Sequence, residues 1–337
     1  MLNFDEARFV RIQSAAVGHA DGLSSFVGDS MRRGIDTVLF AGVGGAGILM
    51  QPAHRLLATE SRTSAFLELT AELMLTGSRH LGPNTLVVVP SLSGTTPEGV
   101  AVVDYAKAAG ATVVSMTGSS DSPIAVASDR NFVVAAADDT SSESFYLQSL
   151  LIALAIQSQL GEIEDFDDVV GQLRQLPALL VGVKGAFEDR ASALAETIRD
   201  EDYHVFTSSG GSYAEAYYFG MCILEEMQWI RTRPVHAADF FHGTLELLEP
   251  DVSVFLLKGE DATRPLTDRV ERFARDHTDR LRVIDAADFA LPGISTRVRA
   301  LISPIIHATV LERLAAHLEV QRDHPLTTRR YYRRVAY

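Results

Sequence analysis

A single cysteine, Cys222, occurs in the 337 residues. No internal disulfide can form, so a packed core has to hold the fold, and the chain suits a reducing compartment. Long apolar runs are missing too. None reaches the roughly 18 residues that a membrane-spanning helix needs. The longest candidate, 145–156, is interrupted by Gln148 and Ser149 and reads as a core helix. The opening stretch, MLNFDEARFVRIQ, carries acids early and has no apolar centre, which is not a signal-peptide pattern. A cytoplasmic location is therefore expected. Basic residues are in deficit, 30 Lys and Arg against 44 Asp and Glu, for a net charge of −14. Such a surface repels nucleic acid and anionic membrane, so neither is expected as a partner. A small anion is still admissible, because backbone N–H groups can bind it locally. No cluster of His, Cys, Asp or Glu has metal-ligand spacing, so no metal and no cofactor is expected.

What is present is a globular balance, 47% hydrophobic and 22% charged. A length of 337 residues allows about two domains. Short apolar runs alternate with helical segments, the pattern of parallel sheets. A helix is expected over 4–33 and a strand over 37–41, then a helix over 48–59 and a strand over 65–69. Strands follow at 86–90, 111–116 and 131–136, with helices over 97–109 and 141–160. The second half repeats the order, with strands at 205–209, 252–257 and 280–284. Its helices run from the 210–212 glycines to Trp229, after Thr263, and over 298–318. Gly45 and Ser212 lie 167 residues apart, and so do Thr96 and Thr263. Two strand-to-loop junctions sharing one offset read as a duplicated domain. The boundary is expected in the acidic stretch 161–168, giving domains 1–164 and 165–337.

Two loops carry chemistry. Ser91-Leu-Ser-Gly-Thr-Thr-Pro-Glu98 joins a strand to a helix and supplies hydroxyls at Ser91, Ser93, Thr95 and Thr96. Gly94 permits a tight turn, and Pro97 suits the first helical position. The free N–H groups of that helix start, with the hydroxyls, are donors for a phosphate. No lysine accompanies them, so this is not a Walker loop. Gly42-Val-Gly-Gly-Ala-Gly47 satisfies GxGxxG after a strand, with Glu68 at 21 residues beyond it. That pattern keeps an NAD-dependent dehydrogenase open as an alternative.

The run SLSGTTPE, the later Gly110-Ala-Thr-Val-Val and Ser122-Pro-Ile-Ala…Ala127-Ser-Asp129 resemble a sugar isomerase (SIS) domain. The duplicated arrangement is similar to the isomerase half of glucosamine-6-phosphate synthase, and more so to the fructosamine deglycases. The ending Asp323-His-Pro-Leu…Arg329-Arg-Tyr-Tyr332 resembles the tail of those deglycases. The resemblance implies an α/β fold of two tandem SIS domains. Each would be a three-layer α/β/α unit with a mainly parallel, flavodoxin-like sheet. It implies phosphate binding by Ser91, Ser93 and Thr96, with Gly44, Gly45 and Ser141 as neighbours. Ala46 stands where the family often has a hydroxyl.

The resemblance also implies a proton-transfer glutamate within Leu224-Glu-Glu-Met-Gln228. On a regular helix Glu226 is about 60° from Ile223, at the edge of a Phe219, Ile223, Met227 stripe, and Glu225 about 160° away. Glu226 is therefore the expected catalytic residue, because partial desolvation suits proton transfer. His242 in Phe240-Phe-His-Gly-Thr244 is the expected ring-opening histidine. His204, His236 and His307 are expected to be structural, and Cys222 a core residue. Arg330 in the basic tail, with Arg329 next to it, is the expected substrate cation. The implied activity is a deglycase of a 6-phosphorylated Amadori compound, acting as a homodimer or larger assembly. The alternatives are an aldose–ketose or amino-sugar phosphate isomerase and a non-catalytic sugar-phosphate sensor.

Overall fold

The structure is a computed structural model that describes residues 1–134, 136, 141–332 and 334–335, apart from the Ser141 side chain. It falls into two compact units, one of Glu6–Ala178 and one of Met1–Asp5 with Leu179–Tyr337. They are called the first and second unit below.

The first unit runs α1 (Glu6–Gly18), α2 (Ala20–Arg32), β1 (Thr37–Gly42), α3 (Gly44–Ile48), α4 (Gln51–Glu60), β2 (Ser64–Leu69) and α5 (Thr70–Thr76). It continues with β3 (Thr85–Ser91), α6 (Pro97–Ala108), β4 (Thr112–Thr117), α7 (Pro123–Ala127), β5 (Arg130–Val133), α8 (Ser141–Gln159) and α9 (Phe166–Leu173). Its sheet is parallel throughout, in the order β2-β1-β3-β4-β5. Parallel strands need crossovers, which put helices over the sheet and bury the central strands. Every residue of β3, TLVVVPS, is accordingly buried. Val87 and Val89 pack with Val102, Val103 and Ala106 of α6 and with Leu73 of α5. Helix α8 packs against α1, α2 and α4 and is buried from Ser142 to Ile156.

The second unit runs α10 (Leu176–Ile198, which starts just before the division), β6 (Tyr203–Ser208), α11 (Ser212–Tyr218), a π-helical segment (Phe219–Glu225), α12 (Glu226–Gln228) and β7 (Arg231–His236). After two short 3₁₀ turns come β8 (Ser253–Lys258), α13 (Arg264–Arg275), β9 (Leu281–Asp285) and α14 (Thr296–Gln321). The parallel order is β7-β6-β8-β9. It is the first unit's order β2-β1-β3-β4 over again. Strands β2 and β7 are offset by 167 residues at both ends, and so are α6 and α13. The fold is thus α/β, with two parallel sheets each flanked by helices.

Several expected elements differ. The opening helix divides at His19, whose Nε2 bonds the Val133 carbonyl at 2.8 Å. The helix expected over 48–59 is α4, and a further short helix, α3, precedes it at the glycines. The fifth strand stops at Val133, and residues 135 and 137–140 lie outside the described residues. Residue 166 already belongs to α9. Helices α5, α7, α9 and α10 and strand β7 had no counterpart in the sequence reading.

One buried cluster ties the second unit's two chain segments together. Arg313, fully buried, donates from Nε to Glu188 Oε2 at 2.8 Å and from Nη2 to the Leu2 carbonyl at 2.5 Å. Leu2 N–H donates to Glu188 Oε1 at 2.6 Å, and His317 Nε2 lies 3.1 Å from the same oxygen. Burial alone would push the Glu188 carboxyl up, but the bonds from Arg313, Leu2 and His317 outweigh it and hold the carboxyl at about 2. A carboxyl depressed in the folded state stabilises the fold above its unfolded value of about 4.5 and loses that contribution as pH falls toward 2. Glu188→Gln should therefore cost about 3 kcal/mol near neutrality. Urea unfolding should show the gap to wild type closing between about pH 4.5 and pH 2. A gap that stays constant over that range would contradict the assignment.

Candidate active site

In the order β2-β1-β3 the crossovers from β1 leave to opposite sides, so the carboxyl ends of β1 and β3 flank a crevice, the usual ligand position in such sheets. Both loops singled out in the sequence start there. After β3, Gly94 turns with φ +62, and a Cβ on it would lie 2.1 Å from Ser122 Oγ, so only glycine fits. The buried Ser91 Oγ accepts the Gly94 N–H at 3.1 Å and lies 3.3 Å from Thr96 Oγ1. Ser93 Oγ accepts from Thr95 N–H at 3.3 Å and from Thr95 Oγ1 at 3.1 Å. Thr96 caps α6 without a side-chain bond to it, which leaves the first N–H groups of that helix for another acceptor.

After β1, Gly42 and Gly47 are in contact. A Cβ on Gly42 would stand 2.7 Å from Gly47 Cα. Gly44 is exposed with φ +56, and Gly45 and the half-buried Ala46 follow it in α3. The glycine motif does not open one long helix, because α3 ends at Ile48 and α4 begins at Gln51. Ser141 opens α8, but its side chain lies outside the described residues.

The other expected groups lie in the second unit. The helix carrying Glu225 and Glu226 is π-helical from Phe219 to Glu225, so the regular-helix angles used in the sequence reading do not hold there. Gly220 brings this segment against β7, since a Cβ on it would be 2.9 Å from Thr232 Oγ1. Glu225 is exposed, and its Oε1 accepts from Thr232 N–H at 3.0 Å and Oγ1 at 2.7 Å. That occupies it in holding the start of β7. Glu226 is half-buried, and its Oε1 accepts from Arg329 Nε at 2.8 Å.

Arg329 is itself held, because its Nη1 donates to the carbonyls of Leu326 at 2.7 Å and Thr328 at 2.9 Å. Arg330, the expected substrate cation, instead lies over the Trp229 ring at 3.9 Å. Trp229 ends the helix in the left-handed region, φ 58. The tail is anchored beside it. Gln228 Nε2 donates to the His324 carbonyl at 2.7 Å, and Arg322 Nη1 donates to the Gln228 carbonyl at 2.6 Å and Oε1 at 3.1 Å. The His324 ring stands edge-on to Trp229 at 4.5 Å. Of the remaining tail arginines, Arg334 N–H bonds the Tyr331 carbonyl at 2.8 Å, and Arg333 lies outside the described residues. The sequence reading missed the Arg329–Glu226 pair, although the run of arginines pointed to the segment.

His242 closes a 3₁₀ turn, exposed to solvent, with its N–H on the Asp239 carbonyl at 2.9 Å. The other histidines differ from it. His204 is buried on Ser253 Oγ at 2.6 Å, and burial, with Arg282 and Arg322, lowers its ring to about 3. His307 is buried on Ser212 Oγ at 3.0 Å, and burial lowers it to about 4. His236 Nδ1 accepts the Ala238 N–H at 3.1 Å. Burial, reinforced by Glu226, Glu215 and Glu225, pushes the Cys222 thiol up to about 12, so it stays protonated and unreactive. Among the described residues no group of three or more His, Cys, Asp or Glu side chains could hold a metal ion. No described helix is long and apolar enough to cross a membrane.

A SIS domain model matches residues 33–158. The chain is 30% identical to the fructosamine deglycase FrlB of Bacillus subtilis (strain 168), over 94% of this chain and 97% of that one. It belongs to the SIS family. The fructoselysine 6-phosphate deglycase of Escherichia coli (strain K12) is 26% identical, covering 91% of this SIS protein and 88% of the relative. A solved Bacillus subtilis structure, a candidate phosphosugar isomerase, superposes with a TM-score of 0.89 at 30% identity, covering 96% of this chain and 99% of that one. The SIS protein is therefore an enzyme of the sugar-phosphate isomerase and deglycase class. Its tail docking is open to test. Gln228→Ala removes the described Gln228 side-chain bonds to the tail, each worth about 1 kcal/mol. Limited proteolysis within 322–335 should then accelerate roughly tenfold or more. Unchanged cleavage would show that the tail is held by something else.

Proposed function

We propose that the chain is a deglycase of a 6-phosphorylated Amadori compound, releasing an amine or amino acid and glucose 6-phosphate. The observation that carries this reading is the whole-length likeness to the Bacillus subtilis fructosamine deglycase. The geometry agrees with it. Ser91, Ser93, Thr96 and the N–H groups of α6, with Gly44 and Gly45, offer neutral donors to a phosphate. Ser141 is assigned to the same group on the resemblance alone. His242 opens the sugar ring by exchanging a proton with a substrate oxygen.

Glu226 then takes the proton from C1, leaving an enaminol. Reprotonation at C2 gives an aldimine, and water splits that into amine and glucose 6-phosphate. Arg329 fixes Glu226 through Oε1, so that Oε2 is the oxygen presented to the substrate. Arg330, stacked on the Trp229 ring, is assigned to an anionic group of the substrate on the resemblance alone. A homodimer or larger assembly in the cytoplasm belongs to the same reading.

A coupled assay for glucose 6-phosphate, run over a small panel of phosphorylated Amadori compounds, tests the proposal. Glu226→Gln should keep sugar-phosphate binding and lose about 10²- to 10⁴-fold in turnover, whereas Glu225→Gln should be mild. Arg329→Ala should lower kcat more than it raises KM, with Arg329→Lys partly restoring it. Glucose 6-phosphate at 100 times its Kd should stabilise the chain by about 2.7 kcal/mol, and NAD(H) should not. Interconversion of aldose and ketose phosphates without amine release would replace the proposal with the isomerase. Binding without turnover on any substrate would replace it with the sensor, and stabilisation by NAD(H) alone with the dehydrogenase.

A further inference from the structure

The 167-residue offset pairs Gly44 with Gly211, Ser91 with Lys258, Gly94 with Asp261 and Thr96 with Thr263. Each unit thus carries a glycine loop and a helix-start loop at the carboxyl ends of two neighbouring parallel strands, β1 and β3 or β6 and β8. What lies between the loops differs. In the second unit the Asp261 carboxylate spans them. Its Oδ2 accepts the Gly211 N–H at 3.2 Å, and its Oδ1 accepts the Thr263 N–H at 2.8 Å and Oγ1 at 2.5 Å. One side-chain anion therefore takes donors from the glycine loop and the helix start together, the groups with which such a cradle holds a ligand anion. The fit is close. Gly210 has φ +58, and a Cβ on it would stand 2.0 Å from Asp261 Oδ2.

In the first unit the matching residue is Gly94, which has no side chain to reach across. The charges around the two loops differ as well. Where the first unit has the hydroxyl of Ser91, the second has Lys258, whose ammonium bonds Asp268 at 2.8 Å and Glu271 at 2.6 Å. Arg264 is paired with Asp285 at 2.5 Å and Arg299 with Glu260 at 2.7 Å. Lys258, Arg264 and Arg299 are thus each paired with acids of the chain itself.

We infer that Asp261 is a built-in anion that closes the second unit's cradle, so that each chain takes one phosphate, in the first unit alone. The inference rests on reading the 91–96 loop as the phosphate site. Titration calorimetry with glucose 6-phosphate counts the sites. Wild type should take one per chain, and the Ser91→Ala/Thr96→Val double variant none at concentrations that saturate wild type. Asp261→Gly writes the first unit's residue into the second and should take two. Combined with the double variant, it should take one. Two sites in wild type, or a site of undiminished affinity in the double variant, overturns the inference. Both measurements leave Asp261 intact, so they hold even if Asp261→Gly does not fold. A folded Asp261→Gly chain that still takes one overturns it as well. A wild type with no site overturns the reading of the 91–96 loop instead, and the closed cradle is then decided by whether Asp261→Gly gains a site.

Discussion

Everything in each unit hangs on the parallel pairing of its first and third strands, β1 with β3 and β6 with β8. A parallel pair cannot be closed by a hairpin, so the chain must cross over through a helix each time. Because the crossovers leave β1 and β3 on opposite sides, their ends open apart, and the loops and helix starts there are left facing solvent. The same constraint buries β3 and β8 completely and makes their sequences almost purely apolar. Core and candidate site are two ends of one arrangement. The central strand β3 is mostly apolar until the sheet stops, and the residues turn to serine, glycine and threonine where it does.

That change of character is why so much was legible beforehand. TLVVVPS and SVFLLK are short apolar runs that end at loops, and each is a buried strand. The shared offset relates the two halves, and it extends beyond the loops to the edge strands. Adding 167 to the edge strand β2 lands on β7, which was missed because RTRPVH is polar and half-exposed and contains a proline. Edge strands tolerate such residues, so periodicity alone cannot find them. The break between α3 and α4 did have a local marker, Pro52 in the first turn of α4, a position that proline favours.

The candidate catalytic carboxylate was legible in kind but not in setting. A π-helical segment carries no sequence signature that the 3.6-residue count could detect, so the angles assigned to Glu225 and Glu226 had no physical basis there. What separates the two residues is their partners: Glu225 holds the start of β7, and Glu226 receives an arginine 103 residues further along. Partners at that distance are invisible to local pattern. Arg329 and Arg330 illustrate the same limit. They are adjacent and chemically identical in the sequence, yet one reaches the carboxylate and the other an indole ring.

The cluster around Arg313 bears on how the chain comes to be folded at all. The Leu2 carbonyl and the guanidinium that binds it are 311 residues apart in sequence. At a synthesis rate of about 5–20 residues per second, the amino-terminal segment waits on the order of 15–60 s after translation before its partner exists. The first unit, Glu6–Ala178, is contiguous and can fold during that interval. The second is discontinuous and cannot be completed until α14 has been made. Until then the second sheet, whose β8 edge is itself open until β9 is made, lacks the helix that completes its unit, so that interval is when the chain is open to aggregation.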